Sequence, residues 1–334
     1  MMRSLRTSVA AGALAASLLL ALPAGASPVP RFVTSISASI KLGSVGATGY
    51  AQAISQSPST NDVYFAEGAK IFVVVGNASP VRLVTAKAPV LALCATSADL
   101  FVETSSSIAE YTIPAAAYVG EWAIPTGLGP SKDTQAGISV VGANLWTWTD
   151  WEDDQSGYEF GSVVQYSLTN WSHRVLDKGQ VNPGDAAADP FGYFFLANDH
   201  VVRAEPSGAL RTSAKTPDAS DAPMAVLGSA IYLVATREPA GKDYLDSFTV
   251  SGMALVRSVP VTTYTYGILG TPLGLVGIAD HGSSKTANNV VLIDPSTGAE
   301  TNPLHVSGAQ GLLYGTTLSA VADVGNEIYL DRLG

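Results

Sequence analysis

The chain has 334 residues and a formal net charge of −10, from 28 acidic and 18 basic residues. This acidic balance argues against nucleic acid or an anionic membrane surface as a partner, because both are bound through basic patches. The low charge content and the 32 glycines exclude a highly charged disordered chain and favour a compact all-β protein.

Residues 1–26 carry the features of an export signal. Two arginines precede an apolar run from Val9 to Leu22, and small residues follow at positions 24–26. The run is too short for a membrane span, and no later segment approaches the roughly 20 apolar residues that a span needs. The sequence therefore predicts cleavage after Ala26 and a secreted protein, extracellular or periplasmic. The loss of two arginines and no acidic residue changes the net charge from −10 to −12.

Seven apolar segments recur along the remaining chain, and their first residues lie 37 to 48 positions apart. This spacing matches the roughly 40 to 50 residues of one β-propeller blade. Each segment is preceded by a strand of small residues, as expected for an innermost strand near the axis, and is followed by another apolar strand. The segments are DVYFAE (62–67), DLFVE (99–103), NLWTWTD (144–150), GYFFLAND (192–199), AIYLVATR (230–237), LGLVGIAD (273–280) and LSAVAD (318–323).

The repeats define units of four strands, A to D outward from the axis, but the last unit stops after its C strand at Leu333. One strand, Phe32 to Leu42, is left over at the other end of the chain. We expect this N-terminal strand to supply the missing outer strand of the last blade, because closure removes open sheet edges. The prediction is an all-β, seven-bladed β-propeller formed as a single domain by residues 27–334.

The segment NNVVLIDPSTGAE (288–300), with VVRAEPSGAL (201–210) and DSFTVSGMAL (246–255), resembles repeats of bacterial seven-bladed propellers of the YVTN and NHL-like type. The resemblance covers nearly all of residues 27–334 and implies architecture. Members of that group bind proteins, sugars or small molecules, and a few, including streptogramin lyases, are enzymes. No His and Glu positions match the lyase pattern, so the resemblance assigns no catalytic residue. WD40 and kelch signatures are absent from the sequence.

Three predicted connections from a B strand to a C strand are long: Thr149 to Phe160, Arg237 to Leu245 and Asp280 to Asn288. In a propeller these connections lie on the same face as the links between blades. We call this face the long-loop face. Because loops of variable length carry function in repeat proteins, it is the candidate site.

Acidic residues in these loops are candidate ligands of a cation: Asp150, Asp153, Asp154 and Asp280. Hard cations such as Ca²⁺ bind several oxygen ligands, which carboxylates in a short loop can provide. The spacing does not fit an EF-hand. A solvated acidic hairpin tip that limits edge pairing is the alternative.

Five further loop residues are candidate ligand contacts: Trp151, Tyr158, Arg237, Lys242 and His281. Aromatic faces beside polar groups suit sugar rings and other flat ligands. Packing within the loop is the alternative for Trp151, and an ordinary loop histidine is the alternative for His281.

Five of the seven B strands end in an acid, which predicts either an acidic rim around the axis or carboxylates that cap turns. These acids are Glu67, Glu103, Asp150, Asp280 and Asp323. Trp146 and Trp148 share one face of their strand and are expected to pack between blades. Cys94, the only cysteine, is expected to be a small core residue.

The sequence therefore favours a monomeric binding scaffold that holds a small molecule, a sugar or a protein on the long-loop face. One alternative is a cation-dependent hydrolase or lyase that acts at the axial funnel, with His281 or a rim carboxylate as base. Another is a structural surface protein without a pocket.

Overall fold

The computed structural model is all-β, and its described residues form 28 strands in seven four-stranded antiparallel sheets. The sheets are the blades of a seven-bladed β-propeller, which confirms the predicted fold class. No helix among the described residues is long and apolar enough to cross a membrane. The structure describes residues 35–44, 53–128, 135–152, 159–179, 181–189, 192–197, 200–214, 216, 223–237, 242–261, 264–280, 288–325 and 327–334.

Strand β1 comes first in the chain, and six complete blades follow it. The bounds are β1 (Ile36–Ser44); blade 1, β2 (Ile54–Gln56), β3 (Val63–Glu67), β4 (Lys70–Val74) and β5 (Val81–Thr85); blade 2, β6 (Val90–Ala95), β7 (Asp99–Thr104), β8 (Ser107–Thr112) and β9 (Tyr118–Ala123); blade 3, β10 (Gln135–Val141), β11 (Asn144–Glu152), β12 (Glu159–Ser167) and β13 (His173–Gly179). Next come blade 4, β14 (Val181–Asp189), β15 (Gly192–Ala197), β16 (His200–Ala204) and β17 (Leu210–Thr212); blade 5, β18 (Met224–Leu227), β19 (Ala230–Arg237), β20 (Lys242–Thr249) and β21 (Leu255–Pro260); and blade 6, β22 (Tyr264–Thr271), β23 (Gly274–Asp280), β24 (Asn288–Ile293) and β25 (Glu300–His305).

Blade 7 is made from both ends of the described chain. Its strands β26 (Ala309–Tyr314), β27 (Leu318–Val324) and β28 (Glu327–Leu333) are followed in the sheet by β1. The register runs antiparallel from Ile36 opposite Leu333 to Ser44 opposite Glu327. Closure by the N-terminal strand is therefore confirmed. The strand continues two residues beyond the expected end at Leu42, and residues 32–34 lie outside the described part.

The buried apolar side chains of the described residues form seven clusters, one at each interface between neighbouring blades. Strand β15 shows why its sequence is apolar throughout. Phe194 and Leu196 pack between blades 4 and 5, whereas Tyr193, Phe195 and Ala197 pack between blades 3 and 4. Successive side chains of a strand point to opposite faces, and both faces of a blade are covered.

The innermost strands contain small residues because the blades approach one another most closely near the axis. At Gly270 in β22, an added Cβ would lie 1.9 Å from the carbonyl oxygen of Val226 in the neighbouring inner strand. We expect Gly270→Ala to lower the free energy of unfolding by about 2 kcal/mol or more, since a backbone atom must move. Urea unfolding checks this, with Gly43→Ala in β1 as the control, because nothing lies within 4 Å of a Cβ there. Equal losses in the two variants would contradict the crowding argument.

Candidate functional site

The connections between B and C strands fall into two classes. Two residues separate the strands in blades 1, 2, 4 and 7, whereas six separate β11 from β12, four separate β19 from β20 and seven separate β23 from β24. Corresponding strands of a propeller run in the same direction, so all these connections lie at the same end of the blades. The three longer ones therefore belong to one face.

In blade 3, two predicted site residues lie near the turn end of the β11–β12 hairpin. Asp150 is opposite Gly161, and Trp151 is opposite Phe160. The side chains of Asp150 and Trp151 lie outside the described part of the structure. Asp153, Asp154 and Tyr158 also lie outside the described residues, so their predicted roles stay predictions.

In blade 5, the structure brings two predicted ligand contacts together. Arg237 and Lys242 are direct partners in the last register position of the β19–β20 hairpin. The Lys242 side chain is exposed, and the Arg237 side chain lies outside the description. Both basic residues of the candidate site therefore come from one hairpin end.

In blade 6, Asp280 is opposite Asn288 at the base of the third long connection. Asn288 is buried, and its side-chain amide donates a hydrogen bond of 2.8 Å to the carbonyl oxygen of Ala309. The base of this connection is thus attached to blade 7. The Asp280 side chain and His281 lie outside the described part.

The described residues contain no group of three or more His, Cys, Asp or Glu side chains that could hold a metal ion. The four aspartates predicted as cation ligands, Asp150, Asp153, Asp154 and Asp280, are not among the described side chains. A Ca²⁺ site on the long-loop face therefore stays a prediction.

The predicted rim of acids is wrong at Glu103. Glu67 is exposed at the end of β3, whereas Glu103 is completely buried. On β7, Glu103 shares a face with Phe101, which packs between blades 2 and 3. Neither carboxyl oxygen of Glu103 has a hydrogen-bond partner, and burial raises the pKa of this carboxyl well above its ordinary value of 4.5. Glu103 is an interior acid and does not contribute to a charged rim.

Three residues predicted to be structural are located in the interior. Trp146 is fully buried and stacks on Tyr193 of blade 4, with ring centroids 5.8 Å apart and an interplanar angle of 9°. Trp148 packs against the same cluster between blades 3 and 4, which confirms the predicted role of both tryptophans. Cys94 packs beside the cluster between blades 2 and 3, and burial raises the pKa of its thiol to about 11.

Two features were not found from the sequence. One is a cavity of about 570 Å³ on the axis between the inner strands. The other is the seam between blades 7 and 1, where Arg332 donates hydrogen bonds to the carbonyl oxygens of Asn61 and Gly76. The arginine in the strand EIYLDRL was the available signal for the seam, because a charged side chain in a covered strand needs specific partners.

No family model and no curated protein matches the chain, but solved structures do. A chain of the mitotic checkpoint complex aligns with a TM-score of 0.65 at 15% identity, covering 98% of this chain and 99% of that chain. The WD40 domain of Pan2 from Neurospora crassa aligns with a TM-score of 0.59 at 9% identity, over 90% and 97% of the two chains. An oligogalacturonate lyase in complex with manganese aligns with a TM-score of 0.56 at 11% identity, over 84% and 88%. Similarity at such low identity shows the shared propeller fold.

Proposed function

We propose that this protein is a secreted binding scaffold that holds a ligand or a protein partner on the long-loop face. The observation that carries the proposal is the difference in connection length: blades 3, 5 and 6 have long B-to-C connections, and the other four have two-residue turns. In repeat folds, several longer connections gathered on one face indicate a binding surface. The WD40 propellers among the structural neighbours support a scaffold role by analogy of fold.

The chemistry of these connections suits a ligand with both a flat part and polar groups. Trp151 and Tyr158 are the aromatic contacts of the proposal, and Arg237, Lys242 and His281 are its hydrogen-bond donors. In blade 5, the pairing of Arg237 with Lys242 supports this assignment, because it brings two basic residues to one hairpin end. The aspartates of blades 3 and 6 would hold a cation such as Ca²⁺ or the positive groups of a partner.

The proposal is tested by thermal unfolding of the purified protein with CaCl₂, with a chelator and with a panel of neutral and acidic sugars. A ligand present at one hundred times its Kd should stabilise the native state by about 2.7 kcal/mol. We expect a variant that combines Trp151→Ala, Asp153→Ala and Asp154→Ala to lose this shift while it keeps its unfolding midpoint without ligand. The control is Glu67→Ala with Lys70→Ala, which flank the two-residue turn of blade 1 at the same end of the blades.

Retention of the full shift in the triple variant would contradict the assignment of the site to blade 3. A loss of the shift in the control as well would show that the ligand does not distinguish the long connections from the short ones.

A second candidate is a cation-dependent lyase or hydrolase, favoured by the similarity to an oligogalacturonate lyase in complex with manganese. This function requires turnover of an acidic oligosaccharide that stops with chelator and with His281→Ala. The binding scaffold gives a shift in unfolding midpoint without consumption of the sugar, so product analysis on the same samples separates the two functions.

A further inference from the structure

The axial cavity lies at a different end of the molecule from the long-loop face. Its lining residues fall among the last four residues of their inner strands, such as Ser139 in β10, Gly270 in β22 and Tyr314 at the end of β26. Inner strands run from the links between blades towards the A-to-B connections. The cavity is therefore nearest to the A-to-B turns, and the long B-to-C connections are at the opposite end.

Most residues of the described wall are apolar and none is Asp, Glu, Lys, Arg or His, but polar and apolar atoms contribute comparable areas to its surface. Inner strands of six blades contribute to it, and the apolar lining residues include Ile54, Leu93, Ile138, Val226, Leu269 and Leu312. An anionic guest would lose its hydration without gaining an opposite charge from these residues, which costs several kcal/mol. The described wall therefore disfavours anions.

The same wall offers hydrogen-bonding groups to a neutral guest. Each inner strand is the terminal strand of its sheet, so one edge of its backbone lies outside the strand pairing. Backbone N–H and C=O groups on such an edge require other partners. The side chains of Ser55, Ser139 and Tyr314 add further polar groups to the lining.

We propose that the axial cavity binds a neutral small molecule that has both an apolar part and hydrogen-bonding groups. The volume of about 570 Å³ falls within the roughly 300 to 1,000 Å³ of small-molecule pockets. The inference is independent of the function proposed for the long-loop face, because the two places use different residues at different ends of the blades.

Cys94 provides a reporter at the edge of the cavity. It is the only cysteine of the chain and one of the lining residues. Burial raises the pKa of its thiol to about 11, so the reactive thiolate is scarce at neutral pH and modification is slow. A guest in the cavity should shield this sulfur from an uncharged reagent such as methyl methanethiosulfonate.

The test uses 1-naphthol as the neutral probe and naphthalene-1-sulfonate as a charged control with the same ring system. Modification of Cys94 in the purified protein is followed by mass spectrometry. We expect 1-naphthol at ten times its Kd to slow the modification roughly tenfold, and the sulfonate to leave the rate unchanged. Equal protection by the two compounds, or no protection by 1-naphthol up to its solubility limit, would overturn the proposal.

A blocked cavity provides a second test in which no residue of the cavity is mutated. Reaction of the folded protein with benzyl methanethiosulfonate places an aromatic group on Cys94. Binding of 1-naphthol, measured by its fluorescence, should then be lost, and it should persist in the variant with Trp151→Ala, Asp153→Ala and Asp154→Ala. Unchanged affinity after benzylation would show that 1-naphthol binds elsewhere. If the triple variant kept its ligand on the long-loop face, the proposed function would fail, but the result for 1-naphthol in the cavity would not change.

Discussion

Replacement of Glu103 with leucine should raise the free energy of unfolding at about pH 8 by about 2 to 4 kcal/mol. Glu103 is fully buried between blades 2 and 3, and neither of its carboxyl oxygens has a hydrogen-bond partner. The native state therefore bears the desolvation of a polar group without compensation. Leucine has a similar size and removes that cost. Urea unfolding of the two proteins at the same pH measures the difference.

The same residue predicts that stability falls as the pH rises. Below the ordinary pKa of 4.5, the folded and the unfolded chain both carry the proton, and Glu103 adds no pH dependence. The folded pKa is raised. As the pH rises through 4.5, the unfolded chain loses the proton while the folded chain keeps it, so stability falls by about 1.4 kcal/mol per pH unit up to the folded pKa.

Glu103→Gln cannot ionise and should remove this dependence. The free energy of unfolding of Glu103→Gln should exceed that of the native protein least near pH 4, and the difference should grow towards pH 8. The matched control is Glu67→Gln, an exposed acid in the equivalent B strand of blade 1, which should change stability by less than about 0.5 kcal/mol. Parallel pH profiles for Glu103→Gln and the native protein would show that this carboxyl ionises without cost in the folded state.

Replacement of Arg332 with methionine should lower the free energy of unfolding by about 3 to 5 kcal/mol. The guanidinium of Arg332 is buried in blade 7 and donates hydrogen bonds to Ser319 Oγ at 3.0 Å, to the Asn61 carbonyl oxygen at 2.9 Å and to the Gly76 carbonyl oxygen at 3.1 Å. Methionine keeps most of the apolar volume but leaves two carbonyl groups of blade 1 without their donor. Urea unfolding measures the loss.

Arg174→Met is the control for this prediction, because Arg174 also links two blades. Its guanidinium donates to the Ser207 carbonyl oxygen at 3.1 Å in an exposed position, where we expect a loss below about 1 kcal/mol. Hydrogen exchange adds a local measurement. Amide protons of β1 and β28 should exchange faster in Arg332→Met, whereas those of blades 3 and 4 should not. A uniform increase across all blades would contradict a specific role at the seam.

The architecture was predictable because it depends on a repeated pattern. Apolar alternation, turn residues and an unfinished last unit are local features of the sequence, and β1 does complete blade 7. The resemblance to YVTN and NHL-like repeats predicted the propeller, and the solved neighbours include a WD40 propeller at 9% identity. Propellers of different repeat types share this pattern of strands without sharing motifs, so the pattern identifies the fold and leaves the repeat type open.

The burial of Glu103 was not predictable because it depends on whether the strand continues one residue beyond the acid. Strand β3 ends at Glu67, whereas β7 continues to Thr104, so Glu103 is an internal residue of its strand. The segments VYFAE and LFVET do not reveal this difference. Arg332 was missed for another reason: its partners in blade 1 lie 256 and 271 residues away in the chain, beyond the reach of local patterns.

The candidate site was predictable in part. Loop length identified three blades, but two of their connections are shorter than predicted. Strand β11 continues to Glu152 and β12 starts at Glu159, and β20 starts at Lys242, so Trp151 and Lys242 are strand residues. The sequence could not show that Arg237 and Lys242 are opposite each other, because register depends on how many residues form the turn. It could not show the axial cavity either, since that space depends on how seven inner strands are spaced around the axis.

The closure of blade 7 by β1 also has a consequence for how the chain folds. Blades 1 to 6 are each formed by consecutive strands, so we expect their strands to pair early. The ion pair between Lys41 and Glu327, in contrast, joins residues 286 positions apart. Contacts of such long sequence separation form slowly, because the entropy of closing the loop must be overcome first. We expect ring closure to be the last step of folding. A nascent chain that has not reached residue 327 would hold six completed blades while β1 still lacks its partner.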